Sequence, residues 1–245
     1  ASGMSLQGGE KNSFFGSYAG VNVNSGNNNT CMGYESGKNV TSGYENTFVG
    51  SGCGTGVWQM TGYKNAMLGY EAGYKLTTGR DNTYMGYRAG YQTTTGYYNT
   101  FIGSTAGYAM TTGYSNIAIG YQAQYAGNSH EGIWIGFQAG YNITGDKNIG
   151  IGFQALRYTN KQNNVALGTN ALEGHASHLG IENSIGIGYR AGRYQGGSFY
   201  NIWMGHQAGP QTASSTAGTG NNNICIGDRP GYSLRTGNQN ILMGV

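Results

Sequence analysis

The sequence predicts an all-β chain, a parallel β-solenoid or β-roll of about fourteen coils. Three observations predict it. A Gly recurs at spacings of 16 to 22 residues, most often 17; a short apolar triplet precedes each one; and a polar stretch, often ending in TTG, follows. The fourteen glycines are Gly16, Gly33, Gly50, Gly69, Gly86, Gly103, Gly120, Gly136, Gly152, Gly168, Gly188, Gly205, Gly227 and Gly244. The period is too short for a pair of helices and fits one turn of a β-solenoid. The repeat fills residues 12–244 behind a lead-in of 1–11, so the reading is one repeat domain over 1–245.

The first element of each coil is the strand before the Gly. Its last residue is apolar in every copy, as in Met85, Ile102, Ile119, Ile135, Ile151 and Ile187. Two residues earlier stands Thr in early coils (Thr30, Thr47, Thr83, Thr100) and Ile or Val in later ones (Ile117, Ile133, Val165). Period-two spacing places these columns on one face, which reads as the coil core. The residue between them is mostly apolar too: Phe14, Phe48, Tyr84, Phe101, Trp134 and Trp203, mixed with Ala118, Gly150 and Gly186. A strand apolar on both faces is buried on both. The middle column therefore reads as packing against a second copy of the chain.

A second short strand is expected after the Gly, with an aromatic residue (Tyr70, Tyr87) and an Ala (Ala72, Ala89) inward and a polar residue (Glu71, Arg88) outward. A further Gly (Gly73, Gly90) closes the turn. Twelve of the fourteen coils open on Asn, with Gly132 and Ser184 as the exceptions. Asn at a corner tolerates positive φ and can bond the coils above and below.

Composition excludes several alternatives. With 47 Gly but 2 Pro in 245 residues, collagen is out; Gly at this density is equally hostile to a helical bundle. A formal charge of +3 with scattered Lys and Arg gives no footprint for nucleic acid. The apolar runs are far short of the roughly 18 residues a membrane span needs, so no membrane insertion is expected. Cys31, Cys53 and Cys225 form neither a CxxC nor an even-numbered framework, against a zinc site or disulfide scaffold.

Chemistry is sparse. GIGFQA (150–155) and GIGYRA (186–191) match a dinucleotide fingerprint, but that motif needs a helix after it, and both are ordinary copies of the repeat. His175 and His178, flanked by Glu173 and Glu182, form a weak metal candidate against the plainer reading of a polar loop. Asp81, Asp146 and Asp228 fall in different coils without a matching Ser and His. No catalytic residue, cofactor or enzyme activity is expected. Tyr74, Tyr91, Tyr108, Tyr125 and Tyr141 occupy one position in successive coils. Exposed rings such as Tyr91 and Tyr108 could stack on sugars, and the alternative is that they stack on one another. Three coils carry insertions, at 54–62, 173–182 and 210–220, all between the second strand and the next Asn. Insertions at one edge of a solenoid commonly mark its binding face, and Trp58 is the best single contact candidate.

The units NIAIGYQA (116–123), NIGIGFQA (148–155) and NVALGTNA (164–171) resemble the NSVAIG-x-x-A repeat of trimeric autotransporter adhesin heads, the YadA-like β-roll. The longer form at 99–113 is similar to repeats in phage tail fibres. The resemblance spans essentially the whole chain, with a period longer than that family's usual repeat of about 14. It implies a left-handed roll with three chains packed along a common axis, displayed at a cell surface or on a virion fibre. The expected function is attachment to a cell-surface glycan or protein receptor through loops on a rigid homotrimeric scaffold. The alternative is a structural filament, self-associating end to end without a dedicated ligand.

Overall fold

The computed structural model describes residues 7–174, 180–194, 196–211, 220–234 and 236–244. The chain is a parallel β-solenoid of about 13 turns, and no helix occurs among the described residues. It divides into two compact units, 1–128 and 129–245.

The first unit carries seven strands: β1 (Ser13–Phe15), β2 (Thr30–Met32), β3 (Thr47–Val49), β4 (Ala66–Leu68), β5 (Thr83–Met85), β6 (Thr100–Ile102) and β7 (Ile117–Ile119). Each pairs in parallel with the next, in a register that keeps equivalent positions together. Tyr84 lies beside Phe101, and Met85 beside Ile102. The second unit contains β8 (Ile133–Ile135), β9 (Asn142–Ile143), β10 (Ile149–Ile151), β11 (Tyr158–Thr159), β12 (Val165–Leu167), β13 (Ile185–Ile187), β14 (Ile202–Met204), β15 (Ile224–Ile226) and β16 (Ile241–Met243). Here β8, β10 and β12 to β16 form one parallel ladder. β9 and β11 pair separately on another side of the coil.

The two faces of the strand are the reverse of the sequence expectation. The middle residue points into the coil: Phe48, Tyr84, Phe101 and Trp134 are fully buried, Trp203 almost so, and Phe14 in the first coil is half-buried. The flanking residues point out. Met85 is 45% exposed, Ile151 is exposed, and Ile102, Ile119, Ile135 and Ile187 are half-exposed. The reason is volume. The interior is thin, and a large ring in one coil fills it only if a neighbour gives way. Trp134 has Gly150 beside it in the ladder, where a Cβ would sit 3.0 Å from the indole. At Gly186 a Cβ would approach Leu172 to 2.6 Å. The mixture of rings with Gly and Ala is therefore packing between successive coils of a single chain.

The expected second strand is a pair of turns. The amide of Ala89 donates to the carbonyl of Gly86, and that of Thr93 to Gly90, each closing a four-residue turn. Arg88 adopts φ +52° and Glu71 likewise +52°, the positive φ that a type II turn requires at its third residue. The aromatic residue then points outward, as Tyr70 and Tyr87 do, while Ala72 and Ala89 alone point in. Gly86, at φ +137°, is fixed by close stacking as well. A Cβ there would lie 2.5 Å from the carbonyl oxygen of Gly103 in the next coil.

The Asn column bonds neighbours as expected. Asn82 Nδ2 donates to Asn65 Oδ1 at 3.0 Å and to the Gly96 carbonyl at 2.9 Å, while its Oδ1 accepts from the Asn99 amide at 3.0 Å. The positive φ belongs one residue earlier, at Asp81 and Tyr98. Where Ser184 replaces Asn, its Oγ accepts from the Asn201 amide at 3.2 Å and the chain of bonds continues.

Candidate functional site

The insertion at 54–62 grows from the turns of the third coil. Thr55 Oγ1 donates to the Glu35 carbonyl at 3.0 Å, and Gly56 turns the chain at φ +64°. The loop returns at Met60, which is buried and pairs with Val40 in an isolated parallel bridge. Its amide donates to the Asn39 carbonyl at 2.8 Å, and its own carbonyl accepts from the Thr41 amide at 2.9 Å. Between these anchors, Val57, Trp58 and Gln59 all project. The Trp58 side chain is 78% exposed, the highest exposure of any large hydrophobic residue described.

Trp58 borders a depression of about 350 Å³ whose other walls are Asn22, Asn39, Thr41, Val57 and Gln59. Asn22 and Asn39 occupy one position in consecutive coils, and Asn22 Nδ2 donates to Asn39 Oδ1 at 2.7 Å. Asn39 Nδ2 in turn donates to the Gly56 carbonyl at 2.6 Å, tying the loop to the ladder. The walls carry amides, a hydroxyl and an indole, and no ionisable side chain. The sequence singles out Trp58 and not the side chains around it. The signal available was the repeat itself, since Asn22 and Asn39 stand 17 residues apart beside the insertion.

The tyrosine ladder has a different character. Tyr91 stacks on Tyr74 and on Tyr108 at 5.2 Å, and Tyr108 stacks on Tyr125 at 5.1 Å, all near parallel. Both faces of Tyr91 and of Tyr108 are thereby covered, leaving only edges and hydroxyls for any other contact. Cations add to the stack, with the Arg88 guanidinium 5.3 Å from the Tyr91 ring centre. In the second unit Tyr141 meets Tyr158 edge-on.

His175, His178 and most of the two later insertions lie outside the described residues. Glu173 belongs to the scaffold, since its carboxylate is buried, 2.6 Å from Arg193 Nε, and accepts from Asn170 Nδ2. Among the described residues no group of three or more His, Cys, Asp or Glu could hold a metal. One pairing passed over in the sequence is His206 Nδ1 with Asp228 Oδ1, 2.7 Å apart. It is solvent-exposed, and His206 stacks on Tyr189, so it extends the outer ladder of aromatic residues. Cys31 and Cys53 are buried, and burial pushes both thiols up to about 12.

No family model matches the chain, and no curated protein or solved structure does so either.

Proposed function

We propose that the chain is a segment of an extracellular homotrimeric fibre that mediates attachment, its copies packed through the outward face of the strand ladder. One observation carries this reading: along the main strand ladder the outward face is apolar or Thr at every position but Ser13. In the first unit Met32, Leu68 and Met85 are exposed, beside half-exposed Val49 and Ile102. In the second, Ile151, Met204, Ile226 and Ile241 are exposed in the same columns.

A second copy of the chain is the fitting occupant because the rows repeat at the strand spacing, about 4.8 Å. Only another solenoid of the same rise meets every row at once. Seven ladder strands per unit make a strip roughly 30 Å long, continuous enough to count as an interaction surface. At Ala66, where the coils on either side have Thr47 and Thr83, the strip opens into an apolar socket of about 220 Å³ between Val49, Leu68 and Met85. Three copies, and display outside the cell or on a virion, follow from the resemblance to adhesin heads and tail fibres.

Light scattering tests the assembly. The expected mass is three times the 25.9 kDa of the chain, and a stable monomer at micromolar concentration overturns the reading. Electron microscopy of native material separates an attachment fibre from a structural filament. Discrete fibres with a free end are expected, and endless end-to-end polymers would favour the filament.

A further inference from the structure

Three features stand outside the packing of the coil: the depression beside Trp58, a polar groove of about 300 Å³ lined by Thr144, Asp146, Asn160, Lys161, Gln162 and Glu182, and the His206–Asp228 pair. The groove holds no aromatic side chain, and Asp146 already accepts from the His130 amide. The His206–Asp228 pair is exposed on both sides, and among the described residues it belongs to no group of three or more His, Cys, Asp or Glu. The Trp58 depression alone combines a free apolar face with polar groups on a pinned backbone.

We propose that this depression is a subsite for a neutral sugar, with the Trp58 indole as platform and Asn22, Asn39, Thr41 and Gln59 as the hydroxyl-binding rim. It rests on the attachment reading above and names the ligand class. The argument starts from the cost of the side chain. A Trp exposed to water at 78% gains nothing for the fold, whereas Trp134 and Trp203 are both buried in the core. The loop that presents Trp58 is nevertheless tied at Thr55, Gly56 and Met60. Its direction is set by the scaffold, and little ordering is left for binding to supply.

The ligand class follows from the walls. One face of a pyranose ring is a patch of C–H groups, and it lies well on an indole, while the ring's rim carries hydroxyls that both donate and accept. Primary amides match that rim because each offers two donors and an acceptor, and the Thr41 hydroxyl, which donates to the Met60 carbonyl at 3.3 Å, keeps its acceptor lone pairs. Asn39 Nδ2 is engaged with Gly56 and its Oδ1 with Asn22, so Asn39 serves mainly to fix the rim. Asn22 and Gln59 are exposed and supply the free valences. With no Lys or Arg in the walls, a sulfated or sialylated sugar would leave its charge without a partner. A single shallow site of this size binds weakly. Three copies on one fibre would raise the avidity by about a hundredfold or more where the receptor presents repeated sugars.

Trp58 supplies its own probe, because the other two tryptophans are buried. Acrylamide should quench the Trp58 fraction of the emission and spare the rest. Titration with cellohexaose, maltohexaose, xylohexaose and chitohexaose, against sialyllactose and a heparin hexasaccharide, should find at least one neutral oligosaccharide that shields this fraction. Titration calorimetry, which does not depend on the indole, should show the same oligosaccharide binding about tenfold more weakly to Trp58→Ala, with a smaller loss for Trp58→Phe. Protection by none of the neutral sugars, equal binding by Trp58→Ala, or preference for the acidic probes would each overturn the proposal. The mass of each sample is read in parallel. A trimer that fails to bind sinks the sugar site alone, and a monomer that binds sinks the trimer alone.

Discussion

Asn82 lies inside the coil wall, its side chain making four bonds to the coils on either side. Removing its side chain strands the Gly96 carbonyl and the Asn99 amide in a buried place. We expect Asn82→Ala to cost about 3 kcal/mol, read from chemical denaturation, and Asp81→Asn, one residue earlier at positive φ and half-exposed, to cost little. The thiols act on stability through pH. Burial raises Cys31 and Cys53 from 9.0 to about 12 and raises the Tyr84 hydroxyl as well. A folded state that holds its protons longer than the unfolded chain is at full stability below pH 9 and loses it as pH climbs towards 12. Melting temperatures should therefore be level from pH 7 to pH 8.5 and fall above that, with a shallower fall in the Cys31→Ala, Cys53→Ala double variant. An equal fall in that variant would assign the loss to other groups.

At the scale of the strand, the repeat, its period and its parallel pairing were all legible in the residues, because Gly and Asn mark each turn without ambiguity. The facing of the strand was not. Period-two spacing separates two columns but does not say which is inside when both are apolar. The deciding signal was volume: Trp134 against Gly150, and Trp203 two coils from Ala166, alternate as members of one crowded interior must. Thr at positions 30, 47, 83 and 100 pointed the same way, since a hydroxyl is costly in a dry core. The turns hid for another reason. Aromatic–polar–Ala reads as strand alternation, yet the polar residue takes positive φ and swings the ring outward. Adjacent residues in β6 now test the facing. We expect Phe101→Ala to destabilise the coil by about 3–5 kcal/mol, while Ile102→Lys should leave the far-ultraviolet spectrum unchanged and lower the solution mass. An Ile102→Lys chain that stays fully assembled would place the interface elsewhere.

At the scale of the molecule, the glycines describe the architecture. The column containing Gly86 lets one coil lie on the next, and the column containing Gly90 lets the chain turn inward over the ring of Tyr84. What the repeat does not encode is the proposed site, which lies where the repeat is broken. The insertion at Trp58 was visible as two extra residues. Its rim was invisible, since Asn22 and Asn39 look like ordinary surface positions until the loop is seen pinned beside them. The central claim is that the outward columns are covered by other copies while the middle column fills the coil. Limited oxidation with hydrogen peroxide, read residue by residue by mass spectrometry, tests both halves at once. Met67 and Met110 point inward and are buried, whereas Met32 and Met85 are exposed on a single chain. In the native assembly we expect all four to be protected, and in the Ile102→Lys variant only Met32 and Met85 to become reactive. Native protein in which Met32 and Met85 oxidise as fast as in that variant, or in which Met67 reacts before Met85, would contradict it.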